Sequence, residues 1–150
     1  MPQSFTHVLI HAIWATRLRT PWLEPLVRAR VFAYMSGICR NIGTPLRIAG
    51  GIEDHVHLLF LLHPTVTLAD TVRDIKSNSS RFIHETWPDL SEFAWQRGYT
   101  AFAVSRSGED EVYRYIEDQV RHHQKRSLED ELRALYERHG LPFDPRTAFE

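Results

Sequence analysis

No apolar run in this 150-residue chain approaches the ~20 residues that a membrane-spanning helix needs. Its opening stretch, "MPQSFTHVLIHAIW", has neither a charged leading region nor a small-residue cleavage site, so a signal sequence is not expected. Cysteine is almost absent. Cys39 stands alone, which excludes an internal disulfide and suits a reducing compartment, with a buried packing role for the thiol. Low-complexity segments, internal repeats and linkers are missing, and the length fits one domain spanning residues 1–150. Excess charge of one sign is missing too: the net charge is −1, against a histone-like blanket of positive charge.

The composition, 43% hydrophobic and 25% charged, is that of an ordinary soluble protein. The charge is unevenly spread. Residues 1–50 hold six arginines against one acid, a local +5, and residues 129–150 hold three arginines against six acids, a local −3. A basic half on a neutral chain can meet phosphate, and it can equally be a solvated face.

The pattern of elements points to a fold. "FTHVLIHAIWAT" (5–16) reads as a strand, and 26–41 has helical periodicity that stops at Gly43 and Pro45. "LRIAGGIE" (46–53) and 55–62 read as a strand hairpin. A helix starts at Thr67 with Asp70 three residues on, and ends at Pro88. A fourth strand covers 98–105, and helices are expected at 108–126 and 127–140, the latter capped by Ser127 and closed by Gly140. The β-α-β-β-α-β order predicts an α+β, ferredoxin-like (RRM-like) fold: one antiparallel sheet with helices packed on its face.

Two places could carry chemistry. In "EDHVHLLFLLH" (53–63), His55 and His57 are two apart on a strand and share one face with Leu59 and Leu61. Paired imidazoles are half of a metal site, although a packed or wet pair of histidines shows the same spacing. His63 lies on the same face by parity but at the far end, and is left outside. On the 108–126 helix, Val112, Tyr115, Ile116, Gln119, Val120 and His123 form one inward stripe. Tyr115 and Gln119 are neighbours there, and an inward amide needs partners. They also fit an ordinary core edge. Tyr113 is a weaker rival on another face. His122, His123, Lys125 and Arg126 suit a helix C-terminus, with phosphate contact as the other reading. Together, His-x-His and Tyr-x-x-x-Gln supply three metal ligands and one hydroxyl nucleophile, the parts needed for attack on a phosphodiester.

"EDHVHLLF" with "YIEDQVRHHQKRS" resembles the single-tyrosine HUH transposases of short bacterial insertion sequences and their REP-associated tyrosine transposase relatives. HUH stands for His, hydrophobic, His: here His55, Val56 and His57. "IHAIWATRLRTPWL", "FAWQRGYTAFAVSRS" and "SLEDELRALYERHGLPFD" extend the resemblance along the chain. It implies a transposase that cuts and rejoins single-stranded DNA through a 5′-phosphotyrosine on Tyr115. It also implies Mg²⁺ or Mn²⁺ held by His55, His57 and Gln119, a DNA hairpin as substrate, a homodimer, no membrane partner and a cytoplasmic location. Lys76, Asn78, Ser80 and Arg81 match a run in the family's second helix and are expected to contact DNA or support the site. Ser77 replaces the glycine usual there, and Arg17 a common lysine. Two alternatives stay open: a silent, domesticated hairpin-binding protein, and a metal-dependent phosphodiesterase that uses activated water.

Overall fold

In the computed structural model of the chain, residues 4–150 are described. The stretch weighed as a signal sequence begins with residues 1–3, which lie outside them. Four strands form one antiparallel sheet: β1 (Leu9–Ala15), β2 (Leu46–Ile52), β3 (His55–Leu61) and β4 (Thr100–Val104), in the order β2-β3-β1-β4. That is the ferredoxin-like arrangement the element order implies. β1 is shorter than the apolar stretch 5–16, because residues 4–8 run outside the ladder.

The central strands are buried on both faces, so β1 and β3 read as nearly continuous apolar runs. One face carries Ile10, Ala12, Trp14, Val56, Leu58 and Phe60. Over it lie α1 (Pro25–Asn41), which supplies Val27, Val31, Met35, Ile38 and Cys39, and α2 (Leu68–Thr86), which supplies Val72, Ile75 and Ile83. Burial pushes the Cys39 thiol up to about 12, as expected of a packed cysteine. Pro25 at the first helical position starts α1, and Gly43, at φ +72°, ends it. The Thr67 side chain accepts from the Asp70 N–H to cap α2.

The opposite face carries His11, Ile13 and Ala15 from β1 and His55, His57 and Leu59 from β3, and it is also covered. The expectation of helices on a single face is therefore extended to two layers. The covering elements are α3 (Glu109–Glu117), α4 (Gln119–His123) and α5 (Leu128–Arg138). The single helix expected over 108–126 is broken at Asp118, whose backbone (φ −95°, ψ 17°) leaves the helical region. The break corrects the inward stripe. Val120, which helical spacing puts inside, is 54% exposed, while Gln119 is buried.

Close approach at β2 seats α3. A Cβ on Gly50 would lie 2.2 Å from the Ile116 carbonyl oxygen, so only glycine lets the end of α3 rest there. Ser127 caps α5 by accepting from the Asp130 N–H, and Leu128 and Leu132 pack on Ile13 and Ala15. Burying side chains of that size stabilises by roughly 1.5–3 kcal/mol each. The Gln96 amide bonds the Ala15 N–H at 2.7 Å and the Glu150 carbonyl at 3.0 Å, tying the tail to the sheet. Among the described residues no helix is long and apolar enough to cross a membrane.

Candidate active site and metal centre

His55 and His57 project from the face of β3 beneath α3–α5, and both are fully buried. Strand pairing sets them beside Ala15 and Ile13 of β1, with His11 one step further along β1 on the same face. His11 Nε2 lies 2.8 Å from His57 Nδ1. On the other ring, His55 Nδ1 lies 2.9 Å from Asp54 Oδ1 at the hairpin turn. A ring that gives its Nε2 lone pair to a cation must carry its proton on Nδ1. Asp54 is an acceptor on the Nδ1 side of His55, and His11, in the tautomer protonated on Nδ1, is one for His57, which leaves both Nε2 atoms for the space under α3–α5.

That space is filled from above. The Gln119 amide oxygen lies 3.3 Å from His55 Nε2, and its amide nitrogen donates to Glu131 Oε1 at 3.1 Å. Glu131, on the first turn of α5, is 1% exposed. Its carboxylate lies 2.9 Å from His57 Nε2, 2.5 Å from His123 Nε2 and 3.7 Å from His55 Nε2. The Tyr115 hydroxyl donates to the same carboxylate. Ligand atoms of His55, His57, His123 and Glu131 all lie within 4.8 Å of one another.

The directions of these atoms say more than their distances. His57 Nε2, His123 Nε2 and Glu131 Oε2 are buried and lack any partner of hydrogen-bond geometry, close though they are. Buried polar atoms are rarely left so. Ligand atoms gathered within 4.8 Å of one another with hydrogen bonding left unmet are what a ligand set around a cation requires. Three imidazoles and a carboxylate form a donor set that first-row divalent metals accept. The residues present fit such an ion.

Electrostatics follow from the burial. Desolvation lowers His57 to about 4 despite the nearby Glu131 carboxylate, so its ring is neutral and able to ligate. Burial and then His57 hold His11 down to about 3. Burial alone would raise the Glu131 carboxyl, but the His123 and His57 contacts hold it well below the usual carboxylate range. For Tyr115, burial and then the charge of Glu131 push the phenol above its ordinary value. Tyr115 stands between two clefts. One of about 230 Å³ is lined by His11, Tyr115, Arg126, Glu131 and Arg138, and one of about 310 Å³ by Arg114, Tyr115, Arg121, His122 and Lys125 together with the acids Glu111 and Asp118. The second carries three cationic side chains against two acids, with Arg121 paired to Asp118 at 3.8 Å.

The structure thus gathers His55, His57, Tyr115 and Gln119 in one chain. Tyr113 is exposed, and His63 bonds Thr65 away from the cluster. The α2 residues do not join it, because α2 packs on the other face. The Lys76 ammonium donates to the carbonyls of Gln96, Arg97 and Gly98 at 2.6–3.0 Å. Asn78 donates to the Asp74 carbonyl and accepts from Arg81, and Ser80 is half-buried.

Three members were not singled out from sequence. His11 was within reach, since strand parity from a central β1 puts it on the His57 face. His123 belongs to the inward stripe by helical spacing and does face the cluster, although the helix is broken at Asp118. Asp54 sat unremarked in the hairpin turn. Glu131 carried no signal: among Glu129, Asp130 and Glu131 it looked like first-turn acid that complements the helix dipole.

Comparison with known proteins bears on this arrangement. The profile of the family described as "Transposase IS200 like" matches residues 4–119. The ISDra2 transposase TnpA of Deinococcus radiodurans is 27% identical over 114 residues, which cover 73% of this chain and 81% of that protein. A crystal structure from Deinococcus radiodurans, of a protein assigned as a transposase, aligns with TM-score 0.67 at 26% identity, over 79% of this chain and 95% of that one. The structure of a REP-associated tyrosine transposase bound to a REP hairpin aligns with TM-score 0.56 at 15% identity, over 79% of this chain and 70% of that one, a likeness of fold.

Proposed function

The chain belongs to the IS200-like transposase family, and on that premise we propose that it cuts and rejoins single-stranded DNA through a 5′-phosphotyrosine on Tyr115. The observation that carries the reading is the shared carboxylate: the Tyr115 hydroxyl and His57 Nε2 both contact Glu131, so nucleophile and metal ligands occupy one buried cluster. A phosphodiesterase using water has no need of a tyrosine there.

In the proposed site His55, His57 and Gln119 would hold a divalent ion, Mg²⁺ or Mn²⁺. When bound, it supplies polarisation of the scissile phosphate and offsets the charge that builds on it. The protein's own groups do the rest. Asp54 and His11 orient the two imidazoles. Arg114, Arg121 and Lys125 line the cleft by which a DNA strand reaches Tyr115. The tyrosine oxygen bonds to phosphorus, the bond to the 3′ oxygen breaks, and the proton lost by the phenol appears on the departing 3′-hydroxyl. The ester bond is exchanged rather than hydrolysed, so rejoining needs no external energy.

The substrate we propose is a DNA hairpin with a single-stranded flank, a choice supported by the REP-hairpin complex of the structural neighbour. Lys76, Asn78, Ser80 and Arg81 are proposed to serve it indirectly, with Lys76 bracing the 96–98 segment. A homodimer is also part of the proposal, testable by sedimentation equilibrium. Since Tyr115 lies beside its own His55 and His57, one chain carries a full set.

The test uses a 3′-labelled hairpin oligonucleotide with Mn²⁺ and denaturing gels. The expected product is a protein-linked 3′ fragment that is lost on chelation and in Tyr115→Phe, with hairpin binding retained. An adduct that persists in Tyr115→Phe would overturn the assignment of the nucleophile. Hydrolysis without an adduct would point to activated water, and binding without cleavage to a silent descendant.

A further inference from the structure

Glu131 lies beyond residues 4–119, the stretch the family profile matches, yet it contacts Tyr115, Gln119, His57 and His123 and lies 3.7 Å from His55. Its carboxylate accepts from Tyr115 and Gln119 and faces the Nε2 atoms of His57 and His123 at 2.9 and 2.5 Å. Nothing about its placement is loose. Leu128, three residues before it, and Leu132, the residue after it, are buried against Ile13 and Ala15, and the Ser127 cap fixes the start of the helix. An anion is not taken to 1% exposure among imidazoles without compensating charge. Yet Oε2 and the two facing Nε2 atoms are not aligned on one another as hydrogen bonds. Ligand atoms of these residues nonetheless lie within 4.8 Å of one another, and the Tyr115 hydroxyl bonds the same carboxylate.

We propose that Glu131 is a carboxylate ligand of the divalent metal and, through the bond from Tyr115, the residue that sets the nucleophile beside it. This rests on the proposed function and deepens it: a helix outside the matched region completes the active site. His123, on the same side, is a further ligand beside His55, His57, Gln119 and Glu131. Gln119 then has a divided part, its oxygen toward His55 and its nitrogen holding Glu131 in place. The opposite role can be imagined for the same contacts. A carboxylate that merely occupied the site in place of a metal would compete with the ion, and its removal would tighten binding.

The experiment is a Mn²⁺ titration of the whole chain without DNA, followed by electron paramagnetic resonance, on the unmodified protein and on Glu131→Gln. The glutamine keeps the shape and removes the charge. The expected result is one Mn²⁺ per chain with affinity at least about tenfold weaker in the variant. Unchanged or tighter binding in a variant that melts like the unmodified protein overturns the proposal. A second reading needs no ligand variant. In protein with ¹³C-labelled tyrosine rings, saturating Mg²⁺ is expected to shift the Cζ resonance of Tyr115, identified by its loss in Tyr115→Phe. A resonance unmoved at saturation overturns the positioning role even if Glu131→Gln fails to fold. The two levels separate cleanly. An adduct on DNA together with undiminished Mn²⁺ binding in Glu131→Gln sinks only the role of Glu131. An unmodified protein that neither binds Mn²⁺ nor forms an adduct sinks the reading beneath it.

Discussion

His11 Nε2 lies 2.8 Å from His57 Nδ1, where it can accept in the tautomer protonated on its own Nδ1. An acceptor in that position fixes which nitrogen of His57 carries the proton, and so which is free to ligate. Because burial and then His57 keep His11 neutral, the acceptor lone pair is there to be used. Asp54 does the same for His55 from the hairpin turn. On the proposed function, His11→Ala should weaken Mn²⁺ binding by about 10–100-fold with little change in fold. His11→Gln, whose amide oxygen can accept the same proton, should recover most of the loss. Calorimetric titration of the two variants checks both, and equal affinity in His11→Ala would show that the tautomer needs no such support.

Elements meet where a side chain has been omitted or a helix interrupted. The end of α3 rests on β2 only because Gly50 has no Cβ: one placed there would meet the Ile116 carbonyl at 2.2 Å, and backbone cannot yield as a flexible side chain would. Gly50→Ala should therefore lift α3, costing about 1–3 kcal/mol by overpacking, and should displace Tyr115 along with Ile116. Urea denaturation reads the first effect and adduct formation the second. Stability within a few tenths of a kcal/mol of the unmodified protein would mean that α3 is not held at this contact. The break at Asp118 works the other way. Past it, Gln119 stays buried and His123 faces the imidazoles as their spacing predicts, while Val120, set by that spacing on the stripe of Ile116, is turned to solvent.

At the scale of the molecule, a bound ion would bridge β3, α4 and α5, where α5 is otherwise held to the sheet by Leu128 and Leu132 against Ile13 and Ala15 of β1 and by the contacts of Glu131. Ligation to the folded state alone stabilises by about 2.7 kcal/mol at a metal concentration 100-fold above its Kd. For a chain of this length that corresponds to a rise in melting temperature of about 5–10 °C. Calorimetric scans with Mn²⁺ and then with a chelator should show the rise and its reversal. A melting temperature indifferent to the metal would mean that the cluster does not gather an ion. Arg114, Arg121 and Lys125 lie outside this bridge, beside Tyr115, in the cleft through which the proposed function brings a DNA strand.

Local pattern sufficed for a good deal of this. Alternation in "HVHLLF" set His55 and His57 on one face, and the caps at Thr67 and Ser127 and the glycine at 140 marked helix ends that the structure keeps, because each depends on neighbours within a few residues. The order of elements was enough for the sheet topology, since an antiparallel sheet of four strands with short connections has few ways to close. What the chain could not announce was anything carried between distant segments. His11 bonds His57 across 46 residues through strand register, and His55 meets Gln119 across 64 through the seating of α3 and α4. Glu131 is the sharpest case. In the sequence it is one acid of three at the start of a helix. Only the packing of Leu128 and Leu132 on β1 decides that this carboxylate, and not Glu129 or Asp130, faces the histidines: a helix places one side of its first turn inward, and which side is settled by what it lies against.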